Sequence, residues 1–374
     1  MKRLCYYINS DWYFLLHWKD RAHAAIKDGY EVHLICNVTG IENRKDLEEI
    51  GLIVHDCKMS EQSMNPFTFI KDVNNSVRLI NEIKPLILHC ITIKPCLIGS
   101  CFAKFKKTKL VVSFVGLGRV FSSKSYKYWL LRNFATFIYG LIAKQDGVCF
   151  IFEHDLDRDE IVNRTRMSVD KTLVINGAGI DIDNFSFKEE HANNVPIVLF
   201  ASRVIWSKGL QDLIQAKLKL EKEGIIFNLN VAGITVKDDP DTIPESVLKK
   251  WQSEGTIKWL GKCNNVSELI EQANIIALPS IYAEGVPRIL IEAASVGRAT
   301  IAYNTGGCSS IILNNKTGYI INQKDIDALA EKIKILLLNP EIRKRFGYCA
   351  RENVEKLFSS KIVVNATLDV YSRL

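Results

Sequence analysis

The sequence predicts an α/β fold made of two doubly wound domains. Three observations support this prediction. Short apolar runs alternate with amphipathic segments of helix length, which is typical of parallel sheets covered on both faces. The alternation stops at an irregular polar stretch, 176–194, and then starts again. The length of 374 residues also suits two domains. Two such sheets in one chain predict a ligand cleft lined by the carboxyl ends of their strands.

The first half of the chain contains apolar runs that predict strands at 4–8, 31–36, 86–90, 110–114, 147–152 and 172–175. Helices are predicted near 15–28, 67–83 and 96–105, and a basic loop and a long helix follow the strand at 110–114. This order of strand, helix and parallel strand predicts the first sheet.

The second half repeats the order, with strands predicted at 197–201, 227–232, 257–260, 275–278, 300–303 and 317–321. Helices are predicted at 209–223, 266–272, 287–296 and 326–338. The stretch 176–194 reads as a linker, since it contains the turn-forming run Asn176-Gly177-Ala178-Gly179. We therefore expect an N-terminal domain at 1–180 and a C-terminal domain at 195–356.

A secretory signal and a membrane span are both unexpected. The first apolar run, from Leu4 to Ile8, is too short for a signal core. No stretch reaches the roughly 20 apolar residues of a spanning helix. The ten cysteines are scattered without a CxxC pair. They predict buried free thiols in a reducing cytosol rather than disulfides or a metal site.

The positive charge is concentrated in one segment. The chain has 49 Lys and Arg against 42 Asp and Glu, a net charge of +7. No Asp or Glu occurs from Ile83 to Gln145, whereas eleven basic residues and ten aromatic residues do. Such a mixture fits an anionic membrane surface or single-stranded nucleic acid. A solvated basic face over an ordinary core is the third interpretation.

The segment 279–297 has features of a ligand-binding strand–loop–helix unit. An apolar strand ends at Leu278, and Pro287 suits the first helical position. Free N–H groups at a helix start attract anions. Glu284 precedes this helix and Glu292 lies about a turn and a half into it, so the two carboxylates could hold two parts of one ligand. A solvated helix start is the alternative.

Basic residues that could offset these carboxylates follow another strand. Arg203 comes directly after the strand at 197–201, and Lys208 precedes the next helix. Arg and Lys at strand ends suit a diphosphate, with Arg bidentate and Lys acting as a point charge. Simple solvation of both residues is the alternative interpretation.

Three further features of the sequence allow more than one interpretation. Gly116-Leu117-Gly118 begins like a dinucleotide fingerprint, but Phe121 replaces the third Gly and no helix is predicted to open there. His17 and His89 fit either a core or capping role or acceptor binding. The run 238–241, Asp-Asp-Pro-Asp, reads as a polar loop rather than a metal site.

These residues, taken in order, resemble the family 4 glycosyltransferases of the GT-B fold, whose two domains are Rossmann-like and face a cleft. The branch that the sequence is most similar to builds O-antigen and capsule repeat units on undecaprenyl diphosphate. The resemblance covers nearly the whole chain. It rests on the segments 9–17, 89–95, 116–121, 176–185, 203–209, 259–261, 277–280, 284–293 and Gly297.

The resemblance implies roles for the candidate residues. Arg203 and Lys208 would stabilise the diphosphate of a nucleotide-sugar donor as it leaves. Glu284 would lie near the transferred sugar and Glu292 would bind the ribose hydroxyls. The backbone of Gly285, Val286, Pro287 and Arg288 would meet sugar or phosphate oxygens. His17, His89, Gly116 and Gly118 are acceptor-side candidates. The family implies no metal and no cofactor, and a C-terminal helix, 357–374, that returns to the N-terminal, acceptor-binding domain.

Some positions depart from the family pattern. Ser10, Asp11 and Trp12 occupy the first strand–helix loop, where members often have a Gly-Gly pair. Val115-Gly116 stands where many members have a His near the donor sugar. Ser309 and Ser310 replace a common Glu after Gly306-Gly307-Cys308. These departures affect expectations about the sugar more than those about the nucleotide.

The predicted function is therefore a retaining, metal-independent glycosyltransferase. It would move an N-acetylhexosamine from a UDP-sugar to an undecaprenyl-diphosphate-linked acceptor, with a GDP-linked mannosyl or fucosyl donor as the alternative. A Rossmann-type oxidoreductase or epimerase and a non-catalytic nucleotide or nucleic-acid binder are the other classes considered. Given the resemblance, the basic aromatic segment 102–134 is expected to meet the cytoplasmic face of the inner membrane rather than nucleic acid.

Overall fold

A computed structural model describes residues 1–60, 65–106, 108–236, 239–263 and 265–374. The chain forms two compact units. The first consists of Met1–Gly179 together with Ser360–Leu374, and the second consists of Ile180–Ser359. Two residues singled out in the sequence, Lys107 and Asp238, lie outside the described residues.

The first unit is a doubly wound parallel sheet. Its strands are β1 (Lys2–Ser10), β2 (Tyr30–Asn37), β3 (Ile53–Asp56), β4 (Ile87–Ile91), β5 (Lys109–Phe114), β6 (Val148–Phe152) and β7 (Thr172–Val174). They pair in the order β3-β2-β1-β4-β5-β6-β7, and every pairing is parallel. Its helices are α1 (Asp11–His17), α2 (Lys19–Lys27), α3 (Ile41–Glu49), α4 (Pro66–Ile83), α5 (Ile93–Lys106), α6 (Gly118–Ser122), α7 (Tyr126–Ile142) and α8 (Asp155–Thr165).

The second unit contains a parallel sheet of the same kind. Its strands are β8 (Ile197–Ala201), β9 (Asn228–Ala232), β10 (Lys258–Gly261), β11 (Ile275–Leu278), β12 (Ala299–Tyr303) and β13 (Gly318–Ile321). They pair in the order β10-β9-β8-β11-β12-β13. The helices are α9 (Leu210–Lys222), α10 (Glu245–Ser253), α11 (Val266–Gln272), α12 (Arg288–Val296), α13 (Cys308–Ile311), α14 (Ile326–Leu338) and α15 (Pro340–Leu357), and α16 (Ser360–Arg373) follows in the first unit. The predicted fold class of two doubly wound sheets is confirmed.

The central strands explain why the sequence reads as apolar runs. Every residue of β4, β11 and β12 is buried. A strand covered by helices on both faces cannot alternate apolar with polar side chains, so it appears as a continuous apolar run.

Three predictions about local structure were wrong. The single helix expected at 15–28 is two helices, α1 and α2, because the backbone leaves helical geometry at Trp18 (φ −125°, ψ −12°). The edge strand β3 was missed because it has only four residues, of which only Val54 is buried, so it carries little apolar signal. A helix does open at Gly118, although α6 has only five residues and Phe121 still replaces the third glycine.

The predicted linker, 176–194, is divided between the units. From Ile180 onward it packs on the second unit, and the Ile180 amide donates to the Phe358 carbonyl at 2.9 Å. Glu190 forms a buried ion pair with Arg343, whose Nε lies 2.8 Å from Glu190 Oε1. These contacts use backbone and charged groups at distant sequence positions, which a local polar pattern does not reveal.

We expect Glu190→Ala to lower the free energy of unfolding of the second unit by about 3–5 kcal/mol. Arg343 would remain as a buried charge without its carboxylate, the costly half of a broken buried pair. Urea unfolding monitored by fluorescence measures this loss. Glu223→Ala is the control, because it removes an exposed ion pair with Lys334. An equal loss of unfolding free energy in the two variants would contradict the role given to the buried Glu190–Arg343 ion pair.

The C-terminal helix α16 packs on the first unit. Val363, Val370 and Tyr371 join the core formed by β1, β2 and β4. The Tyr371 hydroxyl lies 2.6 Å from His89 Nδ1 and donates to the Tyr6 hydroxyl at 2.9 Å. His89 therefore connects this helix to the sheet.

We expect stability to fall as the pH drops below about 6.5, the ordinary pKa of histidine. Burial, with a contribution from Arg21, holds the pKa of His89 well below that value. The unfolded chain then binds a proton that the folded protein does not, and this costs up to about 1.4 kcal/mol per pH unit. Urea unfolding between pH 5 and 7.5 should show a shallower dependence in His89→Gln than in the wild type. The same dependence of unfolding free energy on pH in both proteins would contradict this role of His89.

Candidate active site

Two loops of the second unit meet at the point where the strand order of its sheet reverses. β8 and β11 are neighbours, but the chain continues from β8 to β9 on one side and from β11 to β12 on the other. Residues 202–208 follow β8, and residues 279–287 follow β11. Loops that leave adjacent strands in opposite directions open a crevice, the usual ligand site of a doubly wound sheet.

Hydrogen bonds and close backbone packing hold these two loops together. The Ile281 amide donates to the Ser207 carbonyl at 2.8 Å. Gly209 adopts a positive φ of +80°, and a Cβ there would overlap the carbonyl oxygen of Pro279. Only glycine tolerates both the left-handed backbone and this approach. The end of the first loop, and with it Lys208, is therefore fixed against the second loop.

The structure brings Lys208 and Glu284 into direct contact. The Lys208 ammonium forms an ion pair with Glu284 Oε1, which also accepts from the Ser280 hydroxyl at 3.2 Å. Lys208 is only 4% exposed. Sequence spacing places these residues 76 positions apart, so their pairing depends on the adjacency of β8 and β11.

Tyr282 lies between the two candidate cations. Its ring centroid is 5.3 Å from the guanidinium carbon of Arg203 and 5.6 Å from Lys208 Nζ. Cations over an aromatic face are attracted by the ring quadrupole. Tyr282 was missed at the sequence level, because an aromatic residue in a loop is no signal by itself. The exposed Arg203 and the buried Lys208 thus share one aromatic ring.

The electrostatics of Lys208 depend on its burial. Burial, reinforced by the positive charge of Arg203, lowers the pKa of Lys208 to about 7. The neighbouring Glu284 carboxylate opposes this shift because it favours the protonated ammonium. An added diphosphate would act in the same direction as Glu284. The site therefore contains a partly desolvated cation whose charge is sensitive to a bound anion.

Glu292 lies on the first turns of α12 and is held by its own helix. Arg288 Nε donates to Glu292 Oε1 at 2.7 Å, and Glu292 is 7% exposed. Burial raises the pKa of Glu292, and Arg288 partly offsets that rise. Pro287 occupies the N-cap with ψ 123° rather than the predicted first helical position. Gly297 ends the helix and adopts the left-handed conformation.

A glycine from a third loop supports the backbone of Gly285 and Val286. A Cβ on Gly307 would overlap the Gly285 carbonyl, so the turn after β12 packs directly on this backbone. Thr305 Oγ1 donates to the Ser280 carbonyl at 2.7 Å. Ser309 and Ser310, which replace the common family Glu, donate to the carbonyls of Gly306 and Gly307. Their hydroxyls thus help to fix the turn.

The acidic run read as a polar loop has a positioning role. Asp241 accepts a hydrogen bond from the Ser207 hydroxyl and another from the Ser207 amide at 3.3 Å. The Asp241 carbonyl accepts from the Trp206 amide at 2.8 Å. Asp239 Oδ1 accepts from the Asp241 amide. These bonds shape the turn that carries Lys208.

The acceptor-side candidates lie in the first unit but do not form one cluster. Gly116 and Gly118 follow β5 and have positive φ values of +106° and +54°. His17 ends α1, and its ring packs on Tyr13 at 4.3 Å between centroids. His89 is fully buried, with Nδ1 near Tyr371 and Nε2 2.7 Å from Ser113 Oγ. Both ring nitrogens of His89 are occupied by core hydroxyls, so we do not carry it forward as an acceptor contact.

Comparison with known families assigns both units. Residues 181–353 match the glycosyl transferases group 1 family, and residues 3–145 match the glycosyl transferase 4-like family. The two matches follow one another along the chain and together span most of it. The chain belongs to the family 4 glycosyltransferases. The predicted family and enzyme class are thereby confirmed.

Relatives of this glycosyltransferase include two bacterial glycosyltransferases. It is 25% identical, over 89% of each chain, to the N,N'-diacetylbacillosaminyl-diphospho-undecaprenol alpha-1,3-N-acetylgalactosaminyltransferase of Campylobacter jejuni. It is 22% identical to the capsular polysaccharide biosynthesis glycosyltransferase CapM of Staphylococcus aureus, over 92% of this chain and 90% of CapM.

Solved structures show the same GT-B fold. A glycosyltransferase from Rickettsia africae matches 100% of this chain and 98% of its own at a TM-score of 0.78 and 21% identity. Anabaena HepE, solved in complex with UDP-glucose, matches 100% of both chains at a TM-score of 0.79 and 15% identity.

Proposed function

We propose that this glycosyltransferase moves an N-acetylhexosamine from a UDP-sugar onto a polyprenyl-diphosphate-linked acceptor, with retention of the anomeric configuration. The observation that carries the proposal is the contact of Lys208 with Glu284 at the crevice between β8 and β11, with Arg203 beside the shared Tyr282 ring. Glu292 lies on α12, the helix that follows the same loop. Two cations and two carboxylates suit a ligand that has both a diphosphate and hydroxyl groups.

Lys208 and Arg203 are the proposed diphosphate ligands. Without a donor, Glu284 provides the counter-charge that the buried Lys208 requires. A bound diphosphate would take over that function, because its oxygens are stronger anionic partners. Glu284 would then turn toward the hydroxyls of the transferred sugar. As the diphosphate leaves, the two cations stabilise its increasing charge.

Glu292 is the proposed ribose ligand. Arg288 holds its carboxylate by Oε1, which fixes the direction of the remaining acceptor lone pairs. A carboxylate fixed in this way can accept from two adjacent hydroxyls. The backbone from Gly285 to Arg288, supported from behind by Gly307, would meet sugar or phosphate oxygens at the start of α12.

The proposed step exchanges one bond at the anomeric carbon for another on the same face. The bond from that carbon to the diphosphate oxygen breaks, and a bond to the acceptor hydroxyl oxygen forms. The leaving phosphate takes the hydroxyl proton. The protein supplies position and charge rather than a nucleophile, which agrees with a site built from cations and anchored carboxylates.

Two relatives support the choice of substrates. The Campylobacter relative is named for transfer of N-acetylgalactosamine to a diphospho-undecaprenol acceptor, and HepE has been solved with UDP and with UDP-glucose. A thermal-shift panel of UDP-, GDP- and dTDP-sugars tests the donor, since a ligand that binds only the folded state raises the midpoint. Stabilisation by GDP-mannose or GDP-fucose alone would replace the UDP assignment.

Docking of the segment 102–134 on the cytoplasmic face of the membrane is a further part of the proposal. No helix in the described parts of the chain has the length and apolar character to cross a bilayer. On α7, however, Tyr126, Leu130, Phe134 and Phe137 form a stripe at helical spacing and are all exposed. Exposed lysines flank the stripe and α5, namely Lys104, Lys106, Lys124 and Lys127. This combination fits the boundary between headgroups and acyl chains.

Neutralising Lys104, Lys106, Lys107 and Lys109 together should reduce partition onto anionic vesicles by at least about 100-fold at low salt. Each basic residue near an anionic surface contributes about 1 kcal/mol. Vesicle sedimentation measures partition, and hydrolysis of a soluble UDP-sugar should be unchanged. The matched control neutralises four exposed lysines of the second unit, Lys219, Lys222, Lys249 and Lys250. Unchanged partition of the first variant, or equal loss in the control, would contradict docking through this segment.

A further inference from the structure

An apolar cavity of about 390 Å³ lies in the first unit between α4, α5 and α7. Its walls include Val73 and Val77 of α4, Ile98 and Cys101 of α5, and Phe134 of α7. The polar side chains at its lining are Asn81 and Lys106. Phe134 also belongs to the exposed stripe on α7, whereas the donor site contributes no residue to this cavity.

The size and lining of the cavity suit a hydrocarbon. An engineered apolar cavity of about 150 Å³ remains dry and binds benzene, so this cavity has room for a considerably larger apolar group. Phe105, which also lines it, is 84% exposed. Phe67 and Ile70 at the start of α4 are exposed as well. The cavity therefore opens onto a surface that is itself apolar.

The residues around the opening of the cavity are basic and would attract an anionic headgroup. The stretch from Ile83 to Gln145, which includes all of α5 and α7, contains no acidic residue. Asp72 on α4 is buried and paired with Lys94 at 2.5 Å, and Glu82 faces Arg78. Lys104 and Lys106 are exposed at the end of α5. A lipid with an anionic headgroup would match both the charge and the apolar cavity.

The residues of α5 that line this cavity extend far along the helix from the crevice of the first sheet. α5 begins at Ile93, beside the carboxyl end of β4, where ligands of such sheets bind. Phe105 lies twelve residues later, about 18 Å along the helix. The cavity thus extends toward the amino end of the sheet, away from the edge expected to hold a reacting headgroup. This location favours an anchoring lipid of the bilayer over the acceptor.

We propose that the cavity between α4, α5 and α7 is a socket for one acyl chain of an anionic phospholipid. The phosphate of that lipid would lie beside Lys104 and Lys106, and its chain would enter between Val77, Cys101 and Phe134. The socket rests on the membrane-docking part of the proposed function and gives it a mechanism beyond surface charge. It would hold the enzyme at the bilayer with a defined orientation.

The test uses the full-length protein and the fluorescent fatty acid cis-parinaric acid. Its emission should rise on 1:1 binding, and lysophosphatidylglycerol should displace it at a concentration about tenfold or more below that of lysophosphatidylcholine or farnesyl phosphate. Val77→Phe and Cys101→Phe each add a ring to the cavity. Since each excluded methylene costs about fourfold in affinity, both should weaken binding by at least about tenfold. Leu218→Phe, on the exposed face of α9, is the matched control.

Two results would overturn the socket. One is parinaric acid binding that both cavity variants leave unchanged while their melting temperatures match the wild type. The other is stronger displacement by farnesyl phosphate than by lysophosphatidylglycerol, which would assign the cavity to the polyprenyl chain. Stabilisation by UDP-sugars is measured in the same variants and should persist. If UDP-sugars did not stabilise the wild type, the donor assignment would be wrong, but the result for lipid binding would be unaffected. The two failures are therefore distinguishable.

Discussion

Replacing Lys208 with alanine is expected to lower kcat for sugar transfer by at least about 100-fold. The ammonium is the buried cation of the site, and removing a preorganised charge that stabilises a leaving group costs this much or more. The substitution would also remove the positive charge that lies between Glu284 and the proposed diphosphate site. Initial-rate measurements with a saturating UDP-sugar donor determine kcat directly.

Lys217→Ala is the matched control for this experiment. Lys217 is also 4% exposed, lies in the same unit and pairs with Glu221 on α9. A loss of stability alone would affect both variants, whereas a role at the diphosphate affects only Lys208. Full activity of Lys208→Ala would refute the site assignment.

The pKa of Lys208 adds a pH signature to the same prediction. Because that pKa is lowered to about 7, the neutral fraction of Lys208 grows as the pH rises above 7. A diphosphate favours the protonated form, so UDP binding takes up a proton and becomes weaker with increasing pH in that range. Calorimetry from pH 6.5 to 9 should show this trend in the wild type. Lys208→Arg should show a flatter profile, because arginine stays protonated throughout.

Replacing Glu292 with alanine is expected to reduce kcat/KM for the UDP-sugar by at least about 100-fold. Its carboxylate is buried beside Arg288, so the substitution removes the proposed ribose ligand and the ion pair with the half-buried Arg288. Because the proposed contact with ribose is lost in both the ground state and the transition state, KM for the donor should rise as well. Steady-state kinetics with the donor varied separate the two terms.

A second substitution distinguishes the ribose role from a purely structural one. In Arg288→Gln the helix loses the same ion pair but keeps the Glu292 carboxylate. If Glu292 binds ribose, this variant should retain much more activity than Glu292→Ala. With a donor that contains 2′-deoxyribose, the activities of the wild type and of Glu292→Ala should also differ much less. Equal activity of the two variants would indicate that only the ion pair matters.

Much of the fold was predictable because its strands are buried on both faces. β4, β11 and β12 appear in the sequence as uninterrupted apolar runs, and their spacing by helix-length segments indicates parallel pairing. Where burial is partial the prediction failed. β3 at the sheet edge was missed for this reason. The break between α1 and α2 falls at the buried Trp18, which the apolar pattern does not mark as a boundary.

The candidate site was predictable only in part. Arg203 and Lys208 were recognised from their position after a strand, and Glu284 and Glu292 from their spacing around a helix start. Tyr282, Asp241 and Gly307 were missed. Each supports the site through a contact with a residue distant in sequence, and nothing in its own local pattern marks it. His89 was a candidate because it stands at the end of a predicted strand, in a segment that resembles the family, but the structure places it in the core beside Tyr371.

The sequence by itself determined the fold class, the family resemblance and the concentration of positive charge between Ile83 and Gln145. These follow from periodicity, residue order and composition, which are local properties of the chain. Only the tertiary structure decided that Lys208 contacts Glu284 and that α4, α5 and α7 enclose an apolar cavity. Both depend on which strands and helices become neighbours, and that choice is made by packing between segments far apart in the sequence.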